Sequence, residues 1–200
     1  MLRIGLTGGL ATGKSHVRVR VATIGLPTID ADTIAREVVR PGEPAWRDIR
    51  QRFSNDIWKT DGSLNRAALA SIIFSDEAAR KDLEDILHPR VYSVIRNWLN
   101  ELAQARIHRA AVADIPLLYE TGHHDDFDKV IVVACEAKTQ LQRVMARDGL
   151  SKEDAQQRIA IQLPTAQKAA KADIVISTDG TLEETDAQID RFVKELDQAI

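Results

Sequence analysis

Five short apolar runs punctuate the chain, at residues 2–7, 26–29, 110–115, 130–134 and 174–176, each bounded by polar or turn-forming residues. Runs this short and this continuous are the pattern of strands buried on both faces. Between and after them the pattern is helical, and the last stretch is the plainest. Leu182, Ile189, Phe192, Val193, Leu196 and Ile200 recur at helical spacing, with Glu183, Glu184, Asp186 and Asp190 predicted to face away. Strand and helix in alternation predict an α/β fold, a parallel five-stranded sheet with helices on both faces. Residues 32–109 break the alternation: they carry amphipathic helical patterns and no convincing strand, which predicts a helical lobe inserted after strand 2. Inside it Pro41, Gly42 and Pro44 mark a helix end, Asp61-Gly62 a turn, and His88-Pro89 a helix start with proline at the first position. Neither repeats nor a low-complexity linker interrupt the pattern. The expectation is therefore one domain, 1–200, with a core of 1–31, 110–137 and 165–200, a lobe at 32–109 and a helical lid at 138–164.

The composition fits one globular unit: 200 residues, 44% of them hydrophobic, with a single Cys. A chain of this length buries roughly 70% of its unfolded surface and forms a core without disulfides. Cys135 continues the fourth apolar run, so a buried, inert thiol is expected. Lys and Arg total 27 against 30 Asp and Glu, a net charge of -3, without the basic excess of a nucleic-acid binder. No stretch approaches the ~18 apolar residues of a membrane span, and the first residues lack the apolar core of a signal peptide. These features predict a cytoplasmic protein acting on a small molecule, with no nucleic acid, no membrane and no obligate protein partner.

Chemistry enters with Gly8-Gly9-Leu10-Ala11-Thr12-Gly13-Lys14-Ser15, which matches G-x-x-x-x-G-K-[ST] between the first strand and a helix expected from Gly13. In such a loop the glycines let backbone N–H groups converge on phosphates at the positive end of the helix. Lys14 would reach the β- and γ-phosphate oxygens, and the Ser15 hydroxyl would ligate Mg²⁺. The sequence lacks the N-K-x-D and D-x-x-G of a signalling GTPase and the paired strand-end acids of a motor ATPase. A small-molecule kinase fits best within a P-loop NTPase-type sheet.

Other candidates cluster at strand ends, where open α/β sheets bind ligands. Ile29-Asp30-Ala31-Asp32 places two carboxylates at such an edge: one of them would hold an acceptor hydroxyl or water on Mg²⁺, or Asp32 caps a helix and pairs with Arg36. Asp114 ends the third strand, either to hold Mg²⁺ water or simply to terminate it. The following residues 115–120, with Pro116 and Leu117, predict an ordered loop lining the acceptor pocket. Arg143 and Arg147 share one face of a helix, as a lid closing over phosphates or as a solvated basic face. His123 to Asp128 are contiguous and read as a solvated loop rather than a metal site. Trp46, Trp58 and Trp98 read as packing in the helical lobe, with a ligand contact by one of them as the alternative.

The P-loop preceded by Leu6-Thr7, then Ile29-Asp30-Ala31-Asp32-Thr33-Ile34-Ala35-Arg36, His88-Pro89-Arg90-Val91, residues 114–120 and residues 140–148 follow one another in this order. In that order the chain resembles the dephospho-coenzyme A kinases, over essentially its whole length. The resemblance implies ATP- and Mg²⁺-dependent phosphorylation of the ribose 3′-hydroxyl of dephospho-coenzyme A. It implies catalysis by Asp32 with Lys14, Arg143 and Arg147, and ATP contacts from Thr7, Gly8, Gly9, Ala11, Thr12, Gly13, Lys14, Ser15 and His16. Metal would fall to Ser15 and Asp114, and the acceptor to Asp32, Arg36, His88, Pro116 and Leu117. Three positions depart from the family pattern. Ala11 stands where the family often has Gly, His16 where Thr usually follows the Ser, and Thr178 where Asn commonly stands, which bears on adenine contacts. The rivals are a kinase for another small acceptor, such as a nucleoside monophosphate or a sugar acid, and a regulatory nucleotide-binding module.

Overall fold

The computed structural model describes residues 1–198, with side chains to residue 196; Ile200, expected on the last helix face, lies outside the described residues. Strand β1 (Leu2–Gly8) leads into α1 (Lys14–Thr23), and β2 (Thr28–Asp30) into α2 (Ala31–Glu37). Helix α3 (Pro44–Arg52), a 3₁₀ turn (Asn55–Ile57), α4 (Arg66–Ser75) and α5 (Glu77–Ala105) precede β3 (Ala110–Asp114). A 3₁₀ turn (His124–Asp126) leads to β4 (Lys129–Ala134), then come α6 (Ala137–Asp148), α7 (Lys152–Ala160), α8 (Thr165–Ala169), β5 (Ile174–Ser177) and α9 (Leu182–Gln198).

All five strands are parallel, in the order β2-β3-β1-β4-β5. The central place of β1 matters for function: its carboxyl end, where the glycine-rich loop leaves, is flanked by β3 (Leu6 beside Asp114) and by β4 (Gly8 beside Val133). One face is sealed by α1 and α9, whose Val17, Val21, Ile189, Phe192 and Val193 pack on Ile4, Leu6, Val112, Ile131 and Val133. On the other, Gly5 leaves room for Leu118 and Phe127, which a Cβ would strike. The second strand starts later than the apolar run at 26–29, because Pro27 has no N–H for the ladder; its carbonyl still accepts from Val112 N at 2.9 Å.

The carboxylates of α9 depart from expectation. Asp186 and Asp190 do not face away: they meet His16 (2.8 Å) and Arg20 (2.8 Å) on α1, so the polar edge of one helix answers the basic edge of the other. Leu182, placed on the apolar face by its spacing, sits at the helix start and is 62% exposed.

The chain divides into two compact units, one of residues 1–30 and 101–200, the other Ala31–Asn100. The second has its own core, with Ile49, Phe53, Ile57, Leu64, Leu69 and Leu83 at its centre. The Trp46 ring packs edge-on to Trp58 at 5.6 Å while its N–H donates to Gly62 O, so these two tryptophans are packing, as their pattern predicted. His88-Pro89 does not start a helix: Pro89 lies inside the 29-residue α5. An interior proline costs about 3 kcal/mol, and burying Leu83 and Ala79 on one side of it and Val91, Tyr92, Ile95 and Leu99 on the other offsets that at about 1.5–3 kcal/mol per large apolar side chain. In the disturbed turn the Arg90 guanidinium donates to Ile86 O at 2.5 Å. No helix among the described residues is long and apolar enough to cross a membrane.

Candidate active site

The loop between β1 and α1 takes its shape from two unusual backbones. Gly13 caps α1 at φ +89°, and Ala11 stands at φ +57°, a left-handed conformation that costs a residue with a Cβ about 1–2 kcal/mol. Close packing holds the loop there: a Cβ on Gly9 would lie 2.2 Å from Thr165 Oγ1 and 2.5 Å from Gln140 Nε2. Leu10 is gripped from both sides, its N–H donating to Gln162 Oε1 (2.9 Å) and its carbonyl accepting from Gln140 Nε2 (2.9 Å). Thr12, fully buried, donates its hydroxyl to Gly9 O at 2.9 Å, and its own carbonyl accepts from Thr178 Oγ1 at 2.7 Å. With the loop so held, the first N–H groups of α1, which have no intrahelical acceptor, form a preset anion cradle.

Lys14 lies at the head of α1, its ammonium bonded directly to the Asp114 carboxylate at the end of β3. Arg18, one turn along α1, approaches the other Asp114 oxygen at 3.4 Å and Asp30 at 3.8 Å. Asp114 is 2% exposed. Burial raises its pKa, the Lys14 ammonium works against that, Asp30 adds to the rise and Arg18 opposes it. The cluster is therefore two acids and two bases gathered where β2, β3 and α1 meet. Arg18 and Asp30 were not singled out from the sequence as part of this cluster; the i, i+4 spacing of Lys14 and Arg18 was the available signal.

Thr7 is buried at the root of the loop, and its hydroxyl donates to Pro116 O at 3.0 Å. The same carbonyl accepts from Lys168 Nζ at 2.8 Å; Lys168, wholly buried, also pairs with Glu120 at 2.7 Å, and Glu120 accepts from Leu163 N at 2.9 Å. Residues 115–120 are thus an ordered loop, as expected, stapled by Lys168, which the sequence did not single out as a site residue. Burial lowers the Lys168 pKa, partly countered by Glu120.

From α6, Arg143 donates to Thr178 Oγ1 (2.9 Å) and Thr178 O (2.6 Å), which ties α6 to the loop through the Thr178 hydroxyl. Thr178 is 6% exposed and faces the loop backbone. Arg147 is not brought to the loop: it folds onto Asp148 (2.8 Å), which Arg158 also approaches (3.2 Å), joining α6 to α7. His16 points to Asp186, so only its backbone serves the loop. A cavity of about 350 Å³ beside the loop is lined by Gly9, Cys135, Gln140, Ile159, Leu163 and Thr165. Cys135 lines it half-buried rather than fully buried, since β4 has ended at Ala134; burial raises its thiol pKa, with Arg143 opposing.

In the second unit, α2 begins at Ala31, so Asp32 is an exposed first-turn residue and not the cap; it lies at the positive end of its helix. Arg36 is one turn on, and His88 lies in the interior of α5. Among the described residues no three His, Cys, Asp or Glu side chains gather as a metal site. His123 bonds Asp126 and the His124 ring packs on Tyr119. The Ser15 hydroxyl and Asp114 are a sparse oxygen donor set of the kind Mg²⁺ accepts when phosphates and water complete its shell.

Comparison with known proteins agrees with this geometry. A family model described as "Dephospho-CoA kinase" matches residues 2–184. The dephospho-CoA kinase of Geobacillus kaustophilus is 44% identical over 196 residues, 98% of this chain and 97% of that one, and that of Geobacter sulfurreducens is 46% identical over 189 residues, 94% and 95%. A dephospho-CoA kinase structure from Campylobacter jejuni superposes with a TM-score of 0.75 at 27% identity, covering 98% of each chain. A shikimate kinase from Bacteroides thetaiotaomicron, with a TM-score of 0.52 at 14% identity over 98% of each chain, shares the fold.

Proposed function

We infer the roles of individual residues from one premise: the chain belongs to the dephospho-CoA kinase family. It is a kinase that moves the γ-phosphoryl group of ATP to the ribose 3′-hydroxyl of dephospho-coenzyme A, giving coenzyme A and ADP, the last step of coenzyme A synthesis. The observation that carries the reading is the Lys14–Asp114 pair at the foot of the glycine loop. A lysine held beside the phosphate cradle by one buried carboxylate needs only to exchange that partner for the β- and γ-oxygens.

In this reading the backbone N–H groups of residues 8–15 hold the triphosphate, with Thr12 and Thr178 fixing the loop. The Ser15 hydroxyl and, through water, Asp114 would hold Mg²⁺, which would supply charge neutralisation at the triphosphate. Asp32 accepts the proton of the 3′-hydroxyl and keeps its oxygen in line with the γ-phosphorus. Arg143 turns from Thr178 toward charge on the moving phosphoryl group, and Arg147 joins it by leaving Asp148. Pro116 and Leu117 present the acceptor loop, and Arg36 and His88 contact the acceptor.

Phosphoryl transfer draws more on positioning than on early proton removal, so Asp32→Asn should cut turnover by roughly 10² to 10⁴ with ATP affinity nearly intact. Steady-state kinetics with both substrates varied checks this, and near-normal turnover would remove Asp32 from its role. Lys14→Ala should weaken both ATP binding and turnover; wild-type kinetics in that variant would contradict the nucleotide assignment.

A further inference from the structure

Asp30 and Asp114 are register partners at the carboxyl ends of β2 and β3, so two like charges stand side by side at the edge of the sheet from which the glycine loop leaves. Two cations of α1 answer them. Lys14 bonds Asp114 Oδ1, and Arg18, one turn along the same helix face, stands 3.4 Å from Asp114 Oδ2 and 3.8 Å from Asp30. The helix that carries both cations is fixed, because Val17 and Val21 are fully buried against the sheet; any rearrangement falls to the side chains. The Arg18 Nε is itself buried and makes no hydrogen bond among the described residues, an unmet donor that opposes folding and calls for an explanation.

When ATP binds, Lys14 must leave Asp114 for the phosphates. The carboxylate it leaves is 2% exposed, and Asp30 beside it carries a charge of the same sign. Stranded in this way, Asp114 would hold Lys14 back. We propose that Arg18 is a positioning residue for ATP binding: its guanidinium takes over the Asp114 carboxylate as Lys14 turns to the β- and γ-phosphate oxygens. This rests on the reading of the glycine loop as an ATP site, and adds to it a residue that touches no substrate. The geometry suits the exchange. Lys14 and Arg18 face different oxygens of Asp114, so the carboxylate gains the second partner without first losing the other. Closing the gap to Arg18 Nε by about 0.5 Å brings it to the ~2.9 Å of a charge-assisted hydrogen bond. The planar fork also faces both acids at once, Nε toward Asp114 and Nη2 toward Asp30, which a point charge such as lysine does less well.

The test measures ATP binding by calorimetry in EDTA, where no metal holds Asp114 and no turnover occurs. Arg18→Met, checked by its melting temperature, should weaken ATP binding by about 10- to 100-fold, the value of one charge-assisted contact. Arg18→Lys should recover part of the loss, and Arg18→Gln carries the same comparison if Arg18→Met does not fold. A residue that only clips the strand ends, or only adds positive charge near the triphosphate, would weaken ATP binding equally whatever stands at position 114. The proposal instead requires the loss to run through the carboxylate: added to Asp114→Asn, Arg18→Met should change ATP affinity by less than about twofold. Unaltered ATP affinity in the folded Arg18 variant, or the same loss in the Asp114→Asn background, overturns the proposal. A wild type that binds no ATP contradicts the functional reading and takes the proposal with it. ATP binding without ADP release that depends on dephospho-coenzyme A contradicts only the acceptor assignment, and the Arg18 comparison still decides the proposal.

Discussion

Thr178 offers the sharpest test of how the loop is held. Its hydroxyl donates to Thr12 O at 2.7 Å and accepts from Arg143 at 2.9 Å, while Arg143 keeps a second bond to Thr178 O at 2.6 Å. Thr178→Val preserves the shape and deletes both hydroxyl contacts. Leaving the buried Thr12 carbonyl without its donor costs about 1–3 kcal/mol, and the Arg143 contact, partly retained through the backbone, adds about 0.5–1.5 kcal/mol. Together these amount to roughly 2–4 kcal/mol, which in a chain of this size lowers Tm by roughly 5–12 °C. Because the same hydroxyl fixes the phosphate loop and Arg143, KM for ATP should rise by about tenfold, equivalent to one good hydrogen bond, while the acceptor KM stays put. Thr178→Ser, which keeps the hydroxyl, should behave nearly as wild type. Calorimetric melting and initial rates with each substrate varied are the assays. A Thr178→Val protein that melts with the wild type, or one that loses ATP and acceptor affinity equally, would refute the reasoning.

Three further outcomes follow from the same geometry. Ala11→Gly removes a left-handed strain of about 1–2 kcal/mol against an entropic cost of about 0.4–1 kcal/mol, so it should stabilise the protein by about 0.5–1 kcal/mol, read from chemical denaturation; a destabilised variant contradicts this. Lys168 has its pKa lowered by burial, so the unfolded amine binds its proton more tightly, and its contribution to stability should rise as pH climbs through the folded value toward about 10.4. Melting wild type and Lys168→Met between about pH 7.5 and 10 should show the difference shifting in favour of the wild type with pH, and a shift the other way is the refuting result. Asp114→Asn should raise the half-saturating Mg²⁺ concentration by about tenfold or more, as losing an outer partner does at metal sites; an unchanged Mg²⁺ dependence would free Asp114 of that role.

Much of the fold could be read from the chain because parallel strands buried on both faces are continuous apolar runs, and β3, with every residue buried, is the plain case. The glycine loop was legible because its chemistry needs fixed residue types at fixed spacing. Pro89 misled for a physical reason: proline marks a helix start only where the helix has no apolar face to continue, and α5 buries Leu83 before it and Val91 after it. Asp186 and Asp190 were misplaced because polarity alone cannot tell solvent from a basic neighbouring helix, and α1 supplies His16 and Arg20. Thr178, Lys168 and Glu120 act through contacts to carbonyls or partners many residues distant, and nothing local in the sequence encodes those distances.

The most direct measurement is ADP release from ATP and Mg²⁺ with and without dephospho-coenzyme A, with nucleoside monophosphates as controls and the product phosphate located by ³¹P NMR. The account predicts release that depends on dephospho-coenzyme A and a phosphate on the ribose 3′-oxygen. Release driven equally by the nucleoside monophosphates, or firm ATP binding with no acceptor-dependent release, would contradict it.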